Sequence, residues 1–170
     1  MGVTIKSQQS WGKGLRAQAW WRQWHEEKFN RKLEDAPRDN HSPWDYRDAA
    51  TGLTYEVKFD DRSAETGNLC FEVHGGDRGP TGLMVSTCDW LVYLVPCGNG
   101  QVEIHYLRRG ELIRLMFGGL VNNMPLGRFV KVKWDGDALA YCWIVNKEII
   151  LEAATVRTFT GGGSDAHAQG

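Results

Sequence analysis

The chain has 170 residues, 42% apolar and 24% charged, with a formal net charge of −1. That is enough mass for one globular domain with a real core, and it excludes a disordered chain. No run approaches the ~18 apolar residues of a membrane span, and the opening MGVTIKSQQSW has neither an apolar signal segment nor, with Lys6 in the sixth position, a myristoylation motif. A cytoplasmic protein is expected.

Residues 14–34, GLRAQAWWRQWHEEKFNRKLE, contain no Pro and no β-branched residue and predict a helix. At 100° per residue Leu15, Phe29 and Leu33 share one face, with Glu26 close to it, and Trp20, Trp21 and Trp24 share another. One stripe is expected on the sheet. The other asks for a second partner: the rest of the domain, a ligand, or a second copy in a homodimer. After loop composition at 36–43 comes a short segment at 44–47, a turn at DAATG, and the strand LTYEVKFD. LCFEVH (69–74) alternates as the next strand, and GGDRGPTG is a loop. DWLVYLVP (89–96) is a continuous apolar run that suits a central strand, and QVEIHYL is its hairpin partner across the GNG turn. RRGELIRLMFGGL predicts a short helix. RFVKVKW and LAYCWIV predict a second hairpin across DGD. The fold class expected is α/β or α+β, one domain over residues 1–160 around one central mixed sheet flanked by helices. Residues 161–170 are expected as a flexible Gly-rich tail.

Several chemistries are excluded by absence of their motifs. No GxGxxG follows a strand and no GxxxxGK[ST] occurs, so no nucleotide cofactor is expected. No GxSxG elbow is present. Cys70, Cys88, Cys97 and Cys142 form no CxxC pair and read as reduced, packed thiols.

Charge is uneven along the chain. Residues 41–100 hold nine Asp or Glu against four Lys or Arg, whereas both ends carry a basic excess. Within the acidic centre, LTYEVKFD places Glu56 and Lys58 on one side of a strand, with Asp45 a short turn upstream. Charges on a central strand must pair, coordinate a metal or reach water. Two carboxylates suit Mg²⁺, which takes one or two of them together with waters and phosphate oxygens. The bland alternative is an edge strand with a solvated Glu-Lys face. Glu26-Glu27-Lys28 has the same spacing on a helix, where residues two apart do not face each other.

On these residues the chain resembles the PD-(D/E)xK nucleases: Asp45 stands at the first position of their motif and Glu56-Val57-Lys58 at the second. The Asp is preceded by Trp44, with Pro43 one place earlier, so the literal Pro-Asp is absent. TGNLCFEV and GPTGLMVSTCDWLVYLVP are similar to small phage-type members, and the likeness covers roughly residues 42–96. The resemblance implies a restriction-endonuclease-like core and Mg²⁺- or Mn²⁺-dependent endonucleolytic hydrolysis of DNA. It implies Asp45, Glu56 and the Val57 carbonyl as metal ligands and Lys58 as the group serving the attacking water. Glu26 and Glu72 are candidates for a supporting role near the metal. Each reads alternatively as a surface carboxylate, and His74 reads as a base or as a loop-start histidine. Arg108, Arg109, Lys131 and Lys133 are candidate nucleic-acid contacts, or a solvated face. The rival function is a binding module on a nuclease-like fold that holds nucleic acid or a protein without cleaving it.

Overall fold

The computed structural model describes residues 5–37, 42–97, 100–118, 120–121, 124–133, 139–154 and 156–162. The first helix, α1, runs Ile5–Phe29. It ends short of residue 34 because Asn30 adopts a left-handed φ of 49°. The Arg31 N–H then closes on the Glu26 carbonyl at 3.2 Å, the bond by which a left-handed residue stops a helix. Leu33 therefore leaves the helix and opens β1 (Leu33–Asp35).

The remaining elements are β2 (Tyr46–Asp48), β3 (Thr54–Phe59), α2 (Ser63–Thr66), β4 (Asn68–His74), 3₁₀ turns at Gly76–Arg78 and Gly82–Met84, β5 (Trp90–Pro96) and β6 (Gln101–Arg108). They continue with α3 (Arg109–Gly118), β7 (Leu120–Val121), β8 (Met124–Pro125), β9 (Gly127–Lys133), β10 (Leu139–Asn146), α4 (Lys147–Ala153) and β11 (Val156–Gly162). No described helix is long and apolar enough to cross a membrane.

The architecture is α+β. A six-stranded mixed sheet has the order β1-β2-β3-β5-β6-β11, with β3 and β5 parallel and the other pairs antiparallel. The run DWLVYLVP is the buried central strand that its apolar composition predicts: Trp90 to Val95 are all buried. The expectation of one sheet needs correction. β4 pairs with β10 instead, in a second sheet of order β4-β10-β9, and β7 pairs with β8. Parallel strands need a crossover connection, and the one from β3 to β5 carries β4 over one face of the large sheet.

That face holds one core. Leu69, Phe71 and Val73 of β4 and Trp143 of β10 meet Leu91, Tyr93 and Val95 of β5, with Leu112 of α3 and Ile150 of α4 alongside. The opposite face holds the other core, where Trp21 and Ala17 of α1 meet Tyr55, Val57, Trp90, Val92 and Tyr106. Trp21 is fully buried and Trp20 and Trp24 pack against the same cluster. The Trp stripe thus finds its partner in the chain's own sheet, while Leu15 is left exposed. Gly161 and Gly162 extend β11 rather than starting a tail. At Gly161 a Cβ would come within 2.9 Å of the Trp20 ring. Residues 163–170, and the DGD turn, lie outside the described residues.

Candidate active site

β3 alternates as its sequence predicts. Tyr55 and Val57 face α1, and Glu56 and Lys58 face the side covered by the second sheet, level with Leu91 and Tyr93 in the parallel register. Glu56 is 8% exposed, whereas the Lys58 side chain keeps 46% of its surface in water. Their charges meet at 2.6 Å, Lys58 Nζ to Glu56 Oε1. The strand face is therefore neither fully solvated nor apolar. One acid is sequestered, and its ammonium reaches solvent as lysine stems allow.

Asp45 stands immediately before β2 begins. Its N–H donates to the Tyr55 carbonyl at 2.8 Å, and its own carbonyl accepts from Ala36 N–H at 2.9 Å. β2 and β3 pair through Tyr46↔Tyr55 and Arg47↔Thr54. Beyond that point the Asp45 carboxylate replaces the missing strand, and Oδ2 accepts the Val57 N–H at 2.7 Å. This is a charge-assisted bond of the stronger kind. The main chain of Val57 thus ties the first motif position to the second.

Gln18 of α1 completes this junction, and it was not among the residues expected. Its Nε2 donates to Asp45 Oδ2 at 3.3 Å and to the Val57 carbonyl at 3.2 Å. A signal for it exists in the sequence: it lies three residues before Trp21, on the flank of the stripe that enters the core.

Burial raises the pKa of Asp45, and the negative charge of Glu56 adds to the rise, against the Val57 N–H and Lys58. For Lys58 burial acts downward, but the Glu56 carboxylate first, then Asp45 and Glu72, outweigh it and raise its pKa. Lys58 is consequently an ammonium at neutral pH. Two carboxyl groups, one of them nearly dry, share that one cation.

Asp45 and Glu56 match in number the one or two carboxylates that Mg²⁺ takes from protein. The Val57 carbonyl has a second lone pair beside the Gln18 amide. Among the described residues no three His, Cys, Asp or Glu side chains converge on one point. A metal at this junction would be held by the two carboxylates and completed by water and phosphate oxygens, not by a closed protein cage.

The other expected residues scatter. Glu26 accepts the Leu33 N–H at 2.8 Å and the Arg22 Nε–H at 3.4 Å, so it fastens the helix end to β1. Glu72 lies on β4 with Arg78 4.0 Å away and acts on Lys58 only through its charge. His74 packs edge-on against Tyr141 at 5.9 Å. Arg109 donates to the carbonyls of Leu83 (3.2 Å) and Met84 (3.4 Å), which pins the second 3₁₀ turn. Arg108 stacks on Trp90 at the opposite face of the large sheet. Lys131 is exposed on β9, at the edge of the small sheet, and the Lys133 side chain lies outside those described. Arg108, Arg109 and Lys131 do not form one patch.

The segments that flank β3 to β5 have local duties. Asp89 accepts the Thr54 N–H (2.8 Å) and hydroxyl (2.9 Å) and so locks the starts of β3 and β5 together. Gly82, at φ +50°, presses on β4, where a Cβ would lie 2.4 Å from the Glu72 carbonyl oxygen. Comparison with protein-family models, with curated proteins and with solved structures returns no match.

Proposed function

We propose that the chain is a metal-dependent endonuclease that hydrolyses DNA phosphodiester bonds at the junction of Asp45, Glu56 and Lys58. The observation that carries the reading is the shared main chain of Val57. Its N–H orients the Asp45 carboxylate, while its two neighbours on β3 present a buried acid and a half-exposed ammonium. A purely structural ion pair has no need of a second carboxylate beside it.

Asp45, Glu56 and the Val57 carbonyl would hold Mg²⁺ or Mn²⁺. The cation would supply a Lewis acid for the phosphate and a more acidic attacking water. The raised pKa makes Lys58 a poor base. Its work is to hold a water oxygen and to neutralise charge that grows on the phosphate in the transition state. Gln18 steadies the Asp45 carboxylate and the Val57 peptide in one geometry. The core that holds these residues would be of the PD-(D/E)xK kind. All four cysteines are free thiols, which suits a reducing cytoplasm, the host's if the gene is viral.

The absence of a third converging ligand among the described residues favours the second reading, a binding module that retains the junction without cleaving. Plasmid nicking separates the two. The nuclease reading expects nicked or linear product with Mg²⁺ or Mn²⁺ and none with chelator. Retained binding of DNA or RNA with no cleavage in either metal makes the binding module the better account.

A further inference from the structure

A cavity of about 160 Å³ opens on the α1 face of the large sheet, lined among others by His25, Tyr55, Trp90, Tyr106, Arg108 and Arg157. It is on the other side of the sheet from Glu56 and Lys58. Its residues divide by burial: His25, Tyr55, Trp90 and Tyr106 are buried, and both arginines are exposed. The aromatic groups therefore form the floor and the guanidinium groups the rim.

The floor carries a buried ring nitrogen without a partner. Trp21 Nε1 donates to the Tyr106 hydroxyl at 3.1 Å, and that hydroxyl lies 2.7 Å from His25 Nδ1. Indole N–H can only donate, and among the described residues His25 Nδ1 is the one acceptor beside the hydroxyl, so the arrangement that leaves fewest polar groups unmet sends the hydroxyl proton to Nδ1. Burial lowers the His25 pKa to about 4, and the neutral ring then carries its hydrogen on Nε2. His25 is 3% exposed, and its Nε2 has no hydrogen-bond partner. A buried N–H without an acceptor is unfavourable and calls for one.

The rim carries unmet charge. Arg108 lies 4.7 Å above the Trp90 ring and Arg157 5.7 Å from it, so two cations share one aromatic ring. Neither has a carboxylate partner among the described residues. Nearby acids are engaged: Asp48 takes Arg31 at 3.1 Å and the N–H groups of Ala50 and Thr51, and Asp89 is held by Thr54. The pocket thus offers a buried ring nitrogen, two cations and aromatic walls. It suits a flat ring with an acceptor edge, joined to an anion that stays at the rim. The volume is below the ~300–1,000 Å³ of pockets for drug-sized ligands, which limits the buried part to one ring system.

We propose that this pocket binds a nucleoside monophosphate unit, with its base in the aromatic floor against His25 Nε2–H and its phosphate on Arg108 and Arg157. The unit is either a free nucleotide or the terminal nucleotide of a strand. The site is independent of cleavage at the opposite face.

The test is a titration of intrinsic tryptophan fluorescence and heat, in chelator. The probes are the four deoxynucleoside 5′-monophosphates, the matching nucleosides, inorganic phosphate and a short 5′-phosphorylated single strand. At least one nucleotide or the strand is expected to saturate below about 1 mM, a weak but measurable affinity. Removing the phosphate, or the double change Arg108→Ala and Arg157→Ala, should weaken binding at least tenfold. Both arginines are exposed, so this variant should fold, and an unchanged melting temperature checks that it does. Lys58→Ala should bind as the wild type does, which keeps this result separate from the nuclease reading. Saturation by the mononucleotide identifies a free nucleotide, and saturation by the strand alone identifies a strand end. The proposal is overturned if neither binds, if the double variant binds equally well, or if inorganic phosphate competes as well as the nucleotide.

Discussion

Lys58→Ala probes the Glu56–Lys58 pair without any assumption about catalysis. The change leaves Glu56, 8% exposed, with no counter-ion at 2.6 Å and with Asp45 still adding negative charge. Breaking a buried pair by removing one partner costs ~3–5 kcal/mol, while exposed pairs are worth ~0–1 kcal/mol. The Lys58 side chain is 46% exposed, so solvent screens it and the cost should fall between these, at roughly 2 kcal/mol. At the ~2–4 °C per kcal/mol of a domain this size, the melting temperature should drop by roughly 4–8 °C. The assay is thermal unfolding in chelator, repeated with Mn²⁺. Adding Glu56→Gln to the variant should restore most of the loss, because the orphaned charge is gone. Mn²⁺ should restore part of it, because a cation replaces the ammonium. The reasoning is refuted if Lys58→Ala melts with the wild type, or if Glu56→Gln on that background lowers the melting temperature further.

Asp45 has a pKa raised by burial, so the folded state binds its proton more tightly than the unfolded state. Stability is then present at low pH and is lost as pH rises from the ordinary carboxylate range through the raised value. Asp45→Asn should flatten this dependence in chelator and abolish stabilisation by Mn²⁺, both read from melting curves across pH. Gln18→Ala should leave the Val57 carbonyl and Asp45 with one donor fewer, weakening Mn²⁺ affinity by titration calorimetry while costing only ~1 kcal/mol of stability; unchanged metal affinity would remove Gln18 from the site. Gly82→Ala should destabilise by roughly 2 kcal/mol or more in denaturant unfolding, because a left-handed backbone and a contact on the Glu72 carbonyl both oppose a Cβ.

Local pattern made much of this molecule legible. Period-two alternation in LTYEVKFD placed Glu56 and Lys58 on one face, and the apolar run at 89–96 marked the central strand. The hairpins β5–β6 and β9–β10 follow from strand runs flanking turn residues. Pairing between distant strands is not written in local periodicity, so β4 joins β10 rather than the large sheet. α4 and β11 are short and follow each other closely, and neither carries a strong period of its own. Asn30 was a readable helix stop, hidden by good helix formers on both sides. Glu26 and Arg109 show a different limit. Their side chains satisfy backbone groups brought near only by the tertiary fold, and charge alone cannot separate that duty from catalysis or binding. Gln18 is the converse, a neutral residue that reaches the one peptide the motif depends on.

The central claim, that the Asp45–Glu56–Lys58 junction cleaves DNA, is tested most directly by single-turnover cleavage of a panel of labelled DNA structures in Mg²⁺ and Mn²⁺. Wild type and Lys58→Ala are compared at one salt concentration, beside a binding assay in Ca²⁺. Wild type should cleave at least one structure and lose all activity in chelator. Lys58→Ala should be slower by ~10²-fold or more, the scale of losing an electrostatic catalytic group. Its DNA affinity should change only modestly, since one of several charges near phosphate is lost. Cleavage by Lys58→Ala as fast as wild type, or no cleavage of any DNA by the wild-type protein in either metal, would contradict the account.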